Sequence, residues 1–411
     1  MFVEYTFFPV GQGLFSCGKI YTSNSDKPFV WIYDCGTSKG GKGKLNSAID
    51  ELKDIKELDL VVISHFDADH ISGLEYLLAE KEVKRLMFPF LSEDQKIGEF
   101  SIYCSAILQH QYDIKEKRTI DAISFLLNPV KFIGDLIEDS SKNERIEILF
   151  VPDRLYSTKG MRYNEEAITY RYKEDITLST HNVSCKIIDP HTPVIYNHIW
   201  EFISYNDIEV LQEALTKIPA KQLKEKSKQI HSDVTQICSL NSTKEKNAAL
   251  KSLIKECKSL VPVSEDRNAC SLFLYAGKAN LQLTNFVFSA YDEKRVYKHG
   301  ILYTGDGYLS DLTQLDNLIK HMGKNRIDNI YCLQVMHHGS CKNSCSEVAK
   351  LLQPVVSVFS ADPQHKNRHP DGGVVFDFMN NGPALTDKKL QYAFCFSRRN
   401  RFPYKKWCPW G

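Results

Sequence analysis

Val61-Val62-Ile63-Ser64-His65-Phe66-Asp67-Ala68-Asp69-His70 is the stretch that decides how this 411-residue chain is read. Its β-branched opening, Val61 to Ile63, reads as a buried strand. Four potential metal ligands follow within six residues: His65, Asp67, Asp69 and His70. In an extended continuation His65, Asp67 and Asp69 point to one side. Asp69-His70 then turns toward a second position as Ile71-Ser72-Gly73-Leu74-Glu75 begins a helix. Imidazole combined with carboxylate suits Zn²⁺, Mn²⁺ or Fe, and no buried core accepts this density of charge unneutralised. The alternative is a solvated acidic turn with two surface histidines.

Working outward, Phe2 to Pro9, Leu14 to Tyr21 and Phe29 to Tyr33 are strand-like, with glycine turns at Val10-Gly11-Gln12-Gly13 and Asp34-Cys35-Gly36. Helices are expected near Leu45 to Leu52 and from Ile71 to Glu80, with a strand at Val83 to Pro89. Residues 92–145 and 199–260 carry helical patterns, with Ile208, Leu211, Leu215 and Ile218 on one apolar face. Between those blocks, Ile176 to Thr180 and Val183 to Ile188 read as a hairpin across His181-Asn182. Strands return at Ser271 to Tyr275, Leu281 to Phe288, His299 to Thr304, Ile330 to Met336 and Val355 to Phe359, with a helix near Leu309 to His321. This strand–helix alternation indicates an α/β layered core.

Lys plus Arg (52) and Asp plus Glu (51) nearly cancel, so bulk charge gives no argument for nucleic-acid binding. Hydrophobic residues make up 43% of the chain, enough for a large core. No apolar run reaches the length of a membrane span, and Met1-Phe2-Val3-Glu4-Tyr5 reads as a strand without a basic leader. The twelve cysteines form no C-x-x-C pair and are expected to be reduced thiols of a cytoplasmic protein that has no membrane association.

Four strand ends carry ionisable groups: Asp34, His65 to His70, Asp306 and His337-His338. Taken in order, Val10-Gly11-Gln12-Gly13, Asp34-Cys35-Gly36, Ser64-His65-Phe66-Asp67-Ala68-Asp69-His70, Asn268-Ala269-Cys270-Ser271-Leu272, Thr304-Gly305-Asp306, His337-His338-Gly339-Ser340 and His369-Pro370 form a series of motifs. The series resembles metallo-β-lactamase-fold hydrolases, in particular a standalone form of the C-terminal hydrolase domain of bacterial DNA-uptake channel proteins. The resemblance covers roughly 1–90 and 265–385. It implies an αββα metallo-β-lactamase sandwich, α/β in class, with helical insertions. Residues 1–90 and 265–397 would be the two halves of the core. Residues 91–264 would be largely helical insertions with one core-like hairpin near 176–190, and 398–411 a basic-aromatic tail.

The same resemblance implies roles residue by residue. His65 and Asp67 would bind a first metal. Asp69, His70 and His338 would bind a second, and Asp306 would bridge the two. Asp69, Asp306 and His337 would act in catalysis, with His337 as an acid/base group or with the roles of the histidine pair reversed. Asp34 would support the metal loop by hydrogen bonding. Two departures from the broad superfamily matter. Asp67 stands where most members have His, which adds an oxygen donor and tilts the choice between Zn²⁺ and Mn²⁺ toward Mn²⁺. An additional His ligand has no recognisable counterpart among His181, His191 and His198, so one or two divalent ions remain open.

Ser340 and Asn343 follow the double histidine and would either donate hydrogen bonds to a phosphate or cap a helix. Arg368 and His369 lie in a polar loop beside them. The tail from Arg398 to Trp407 has basic residues interleaved with aromatics, a pattern that suits single-stranded nucleic acid. The leading expectation is a metal-dependent phosphodiesterase, a nuclease using metal-activated water, acting in bacterial antiviral defence. The alternatives are a small-molecule hydrolase acting on a cyclic nucleotide, ester or lactone, and a partner-activated or non-catalytic component whose helical insertions dock another protein.

Overall fold

The strand ahead of the ligand-rich stretch is Leu60–Val62, buried throughout. It runs parallel to Phe29–Cys35 on one side (Ile32 opposite Val61) and to Arg85–Pro89 on the other (Val62 opposite Met87). These runs are apolar without alternation because both faces of a parallel sheet are covered. A second parallel group, Gly300–Tyr303, Ile330–Gln334 and Val356–Ser360, carries the later motifs at its C-terminal ends. The computed structural model describes residues 1–23, 25–38, 41–108, 117–138, 142–143, 145–156, 160–165, 167–176, 182–216, 220–239, 245, 248–249, 251–254, 270–279, 298–397 and 404–405.

Three apolar cores define the layering. In the first, Val61, Ile63 and Leu86 pack under Leu45, Leu77, Phe100, Phe125 and Ile133 from the helices Lys42–Asp50, Leu74–Glu80, Glu93–Leu108, Lys117–Leu127 and Pro129–Glu138. The second lies between strand layers and joins Trp31, Tyr33, Val62 and Met87 to Phe202, Leu274, Ile301 and Tyr303. The third packs Leu302, Leu333 and Val335 against Leu315, Leu318, Val348 and Leu352 of the helices Leu312–Met322 and Glu347–Leu352. Helix, strand, strand and helix layers follow in that order.

A simple αββα sandwich of two separate sheets fits only in part, because among the described residues eighteen strands are hydrogen-bonded into one mixed sheet. The join is the nine-residue strand Ile168–Ile176. Its C-terminal half pairs with Val183–Ile188 and its N-terminal half with Val194–Tyr196, with a register shift between Tyr172 and Asp175. A long strand with such an irregularity can bend from one layer into the next. The expected hairpin is thus present as two paired strands, although its turn, including His181, lies outside the described residues. Around it, Ile146–Val151, Met161–Glu165, Val194–Tyr196 and Trp200–Asn206 add strands to a stretch expected to be largely helical. Helix periodicity in the flanking segments gave no signal for them.

The helices between 93 and 138 belong to the first core, and Phe66 of the motif meets Phe125 edge-on at a ring separation of 5.2 Å. Within the second block of helical pattern, Ala220–Ser239 forms a helix. The strand expected at Leu281 to Phe288 lies outside the described residues, as does the tail except Tyr404–Lys405, which pairs with Tyr392–Ser397. Among the described residues no helix is long and apolar enough to cross a membrane. Cys17, Cys35, Cys104, Cys185, Cys270, Cys332, Cys341, Cys345 and Cys395 are free thiols.

Candidate metal centre

The parallel strands of both groups end at one place. The Tyr33 hydroxyl donates to Leu272 O at 2.6 Å, Leu272 N donates to Ser64 O at 2.7 Å, and Tyr33 stacks on Tyr303 with centroids 4.4 Å apart. These contacts lock the Asp34 and His65 strand ends to the Asp306 strand end. Asp69, His70, Asp306 and His338 each offer one ligand atom, and those atoms lie within 4.8 Å of one another. Donors about 2.0–2.2 Å from a four-coordinate ion sit roughly 3.4 Å apart. The Oδ1 of Asp306 is 3.2 Å from His70 Nε2 and 3.6 Å from His338 Nε2, and Asp69 Oδ2 is 3.6 Å from His338 Nε2.

Each ring is held from behind. Asp34 accepts from His70 Nδ1 at 2.7 Å, and the Ser360 carbonyl accepts from His338 Nδ1 at 2.5 Å. The Ser64 hydroxyl spends its proton on Asp34 Oδ2 at 2.7 Å, so at 2.9 Å it accepts from His65 Nδ1. Asn343 Nδ2 donates to Asp306 O at 2.9 Å, which leaves its Oδ1 to accept from His337 Nδ1 at 3.0 Å. All four Nδ1 atoms thus carry a proton and all four Nε2 atoms face inward, the orientation a metal ligand needs. The Nε2 atoms of His65, His70 and His338 are buried without a hydrogen-bond partner. Orphaned imidazole nitrogens around buried carboxylates fit a divalent cation, and so does the mixed nitrogen–oxygen donor set.

The electrostatics agree. Burial works against ionising Asp306, but His337, His70 and His338 outweigh it and hold the carboxylate well below its usual range. Asp69 is also lowered, burial being outweighed by His338 and His70. Burial opposes charging His70 as well, yet Asp306 and Asp34 hold its pKa well above the ordinary value. His65 is pushed down to about 3 by burial and then by His70.

Glycines shape the cradle. A Cβ on Gly36 would sit 2.3 Å from the backbone of Asp69 and His70, and one on Gly13 would sit 2.6 Å from Gly36 O. Gly13 O in turn accepts from the Ser360 hydroxyl at 2.8 Å. Gly36→Ala is therefore expected to push the ligand backbone outward, costing about 1–3 kcal/mol of stability together with metal affinity. Thermal melting and metal titration of the variant check this, and unchanged values for both would refute the close approach.

Asp306 is aimed by Gln334, whose Oε1 accepts from Thr304 N at 2.8 Å and from Gly305 N at 2.7 Å, and by Ser271, whose Oγ accepts from Asp306 N at 3.2 Å. Neither Gln334 nor Ser271 stood out as an anchor in the sequence. His337 Nε2 lies 3.5 Å and His65 Nε2 3.9 Å from Asp306 Oδ2. Asp67 is outside the four-residue group; its charge acts on Glu99 and Tyr103 of the helix Glu93–Leu108. Burial and Asp67 push the Glu99 carboxyl up to about 8. Nothing in the helix pattern marked Glu99. Ser340 is buried and its Oγ accepts from Lys342 N at 3.3 Å, while His369 sits with its ring 5.8 Å from that of His337. His191 packs on His321 at 5.0 Å and His198 is exposed, so neither joins the centre.

A family model described as the metallo-beta-lactamase superfamily matches residues 29–93, the span from the Asp34 strand through the first ligand motif. No curated protein matches the chain. The superfamily match and the ligand cluster together indicate a hydrolase dependent on a divalent metal.

Proposed function

We propose that this protein hydrolyses phosphodiesters, most naturally in nucleic acid, at the centre built around Asp306. The observation that supports the substrate class is a pair of exposed basic residues, Lys366 and Arg368, in the polar segment next to the double-histidine turn. The segment 362–371 brings Lys366, Arg368 and two histidines beside the double-histidine turn, where Asp371 Oδ2 accepts from Cys341 N at 2.7 Å. His365 lies within electrostatic reach of Asp69 and His338. Cationic side chains position a phosphate without reading its sequence.

Asp69, His70, Asp306 and His338 would hold the divalent ion. Bound there, it supplies Lewis acidity and a water acidic enough to attack near neutral pH. The chain's own part is to fix geometry. The proton on each Nδ1 is kept by Asp34, Ser64, Asn343 or the Ser360 carbonyl, so each ring turns its Nε2 toward the centre. Gln334 and Ser271 fix Asp306, and its low pKa keeps it ionised throughout. Asp69 is the more open of the two clustered carboxylates, at 21% side-chain exposure against 3% for Asp306.

A second reading, hydrolysis of a small molecule, is favoured by a pocket of about 240 Å³ lined by Ser271, Gly307, Tyr308, Tyr205 and Phe273 next to Asp306. Its rim carries Asp207, Glu209 and Asp311, which repel a polyanion. A screen with Mn²⁺ and Zn²⁺ separates the two. Cleavage of single-stranded DNA or RNA is expected, with Arg368→Ala raising KM for nucleic acid several-fold and leaving kcat on bis(p-nitrophenyl) phosphate nearly unchanged. A fully metal-loaded protein that cleaves lactones or esters but no phosphodiester would decide for the second reading.

A further inference from the structure

We propose that Phe376 is a stacking platform for an unpaired base, and that it gives the centre a preference for single strands over duplexes. This rests on the reading of the substrate as nucleic acid and names the side chain that would tell one strand from two.

Phe376 lies on the helix Gly372–Asp377, which is tied to the turn carrying His337 and His338. Asp371 N donates to Gly339 O at 3.0 Å, and Asp371 Oδ2 accepts from Cys341 N at 2.7 Å. A Cβ on Gly339 would come within 2.6 Å of Pro370, so the chain entering the helix is packed directly on that turn. The ring of His369 stands 5.8 Å from that of His337. Phe376 follows Asp371 by five residues, which places it about 7.5 Å further along the helix axis.

The two faces of this helix differ sharply. Val374 and Phe378 are 3% and 0% exposed and belong to the third core, where Phe378 meets Phe359 edge-on at 6.0 Å. Phe376 stands about 200° round the helix from Val374 and is 77% exposed, more than any other large apolar side chain among the described residues. It therefore contributes little to packing. A long side chain on a helix leans back over the preceding turn, which here is Gly372 and Gly373. A Cβ at either glycine would meet nothing within 4 Å. Neither position offers a side chain that competes for the ring, and the open space lies toward the metal centre.

The chemistry of the surroundings selects the occupant. Every base has a π-face, so stacking on an exposed aromatic holds a single strand whatever its sequence. A base inside a duplex keeps its own neighbours and has no free face to offer. Lys366 and Arg368, both exposed, precede the helix in the same segment and suit the phosphates of that strand. A protein partner would need a broader apolar face than one ring, two glycines and Met379, the last 58% exposed.

The test is binding by the full-length protein without added metal, so that affinity is read apart from cleavage. With labelled oligothymidylate, Phe376→Ala is expected to bind about 5–150-fold more weakly than the wild type. The dependence of affinity on salt should be unchanged, because no phosphate contact is lost. Phe376→Trp should restore binding, with indole fluorescence quenched by the stacked base, whereas Phe376→Leu should bind as Phe376→Ala does. Gly372→Leu places a side chain one helical turn from the ring; it should keep the melting temperature and still weaken binding. All these variants should match the wild type on a duplex and on a strand lacking bases. Equal affinity of the wild type and Phe376→Ala for oligothymidylate overturns the platform and leaves the nucleic-acid reading intact. Loss of self-association in Phe376→Ala with strand binding unchanged overturns it too, since the ring would then be a contact between copies. A wild type that neither binds nor cleaves any nucleic acid overturns both.

Discussion

Asp34→Asn is expected to leave the fold standing while weakening the ion held with His70 about 10–100-fold. The carboxylate is fully buried and uses both oxygens: Oδ1 accepts from Ser64 N at 2.6 Å, and Oδ2 accepts from the Ser64 hydroxyl and His70 Nδ1, each at 2.7 Å. An asparagine keeps the backbone bond through its Oδ1 but places an NH₂ where Oδ2 was. That group donates, so His70 Nδ1 must become the acceptor and the ring proton moves to Nε2. The lone pair needed by a metal is lost with hardly any change in shape. Asp34→Ala differs, because it leaves buried donors unpaired at a cost of about 1–3 kcal/mol each. Calorimetric metal titration and the nitrogen chemical shifts of His70 check the tautomer argument. Wild-type affinity in the asparagine variant would defeat it.

Asp306→Asn is expected to lower hydrolysis by about 10³-fold or more and to weaken every ion the centre holds. This residue has four imidazole nitrogens within 3.9 Å of its two oxygens. Neutralising it removes charge that a bound cation needs and turns one oxygen into a donor facing Nε2 lone pairs. Loss of several kcal/mol of charge stabilisation corresponds to that rate factor. Metal content and kcat measured on the same preparation decide it. A variant with full metal and near-normal kcat would show that Asp306 is a bystander.

Much of the centre was legible in the sequence because chemistry this dense has few other uses. A buried strand ending in His65, Asp67, Asp69 and His70 announces ligands, and Thr304-Gly305-Asp306 and His337-His338 repeat the pattern at later strand ends. How those side chains are aimed was not legible. It depends on the paired left-handed conformation at His337 and His338, and on Asp67 lying toward the helix Glu93–Leu108. Glu99 was equally hidden, since a glutamate in a helical pattern reads as solvated until packing buries its Oε2 without a partner. The bend of Ile168–Ile176 escaped for a related reason: period-two alternation marks a strand but not where that strand changes layer.

The centre is assembled from residues more than two hundred positions apart, since His65 to His70 meet Asp306 and His338. On a ribosome adding about 5–20 residues per second, the first ligands wait some tens of seconds for the rest. Through that interval the nascent chain carries a charged, half-built pocket at the end of a buried strand. Closure of the late strands against the early ones completes the ligand set, so an ion bound there would add its binding energy to the stability of the closed fold. Metal supply would thus shift how firmly the finished chain holds together, a dependence written into the order of the chain.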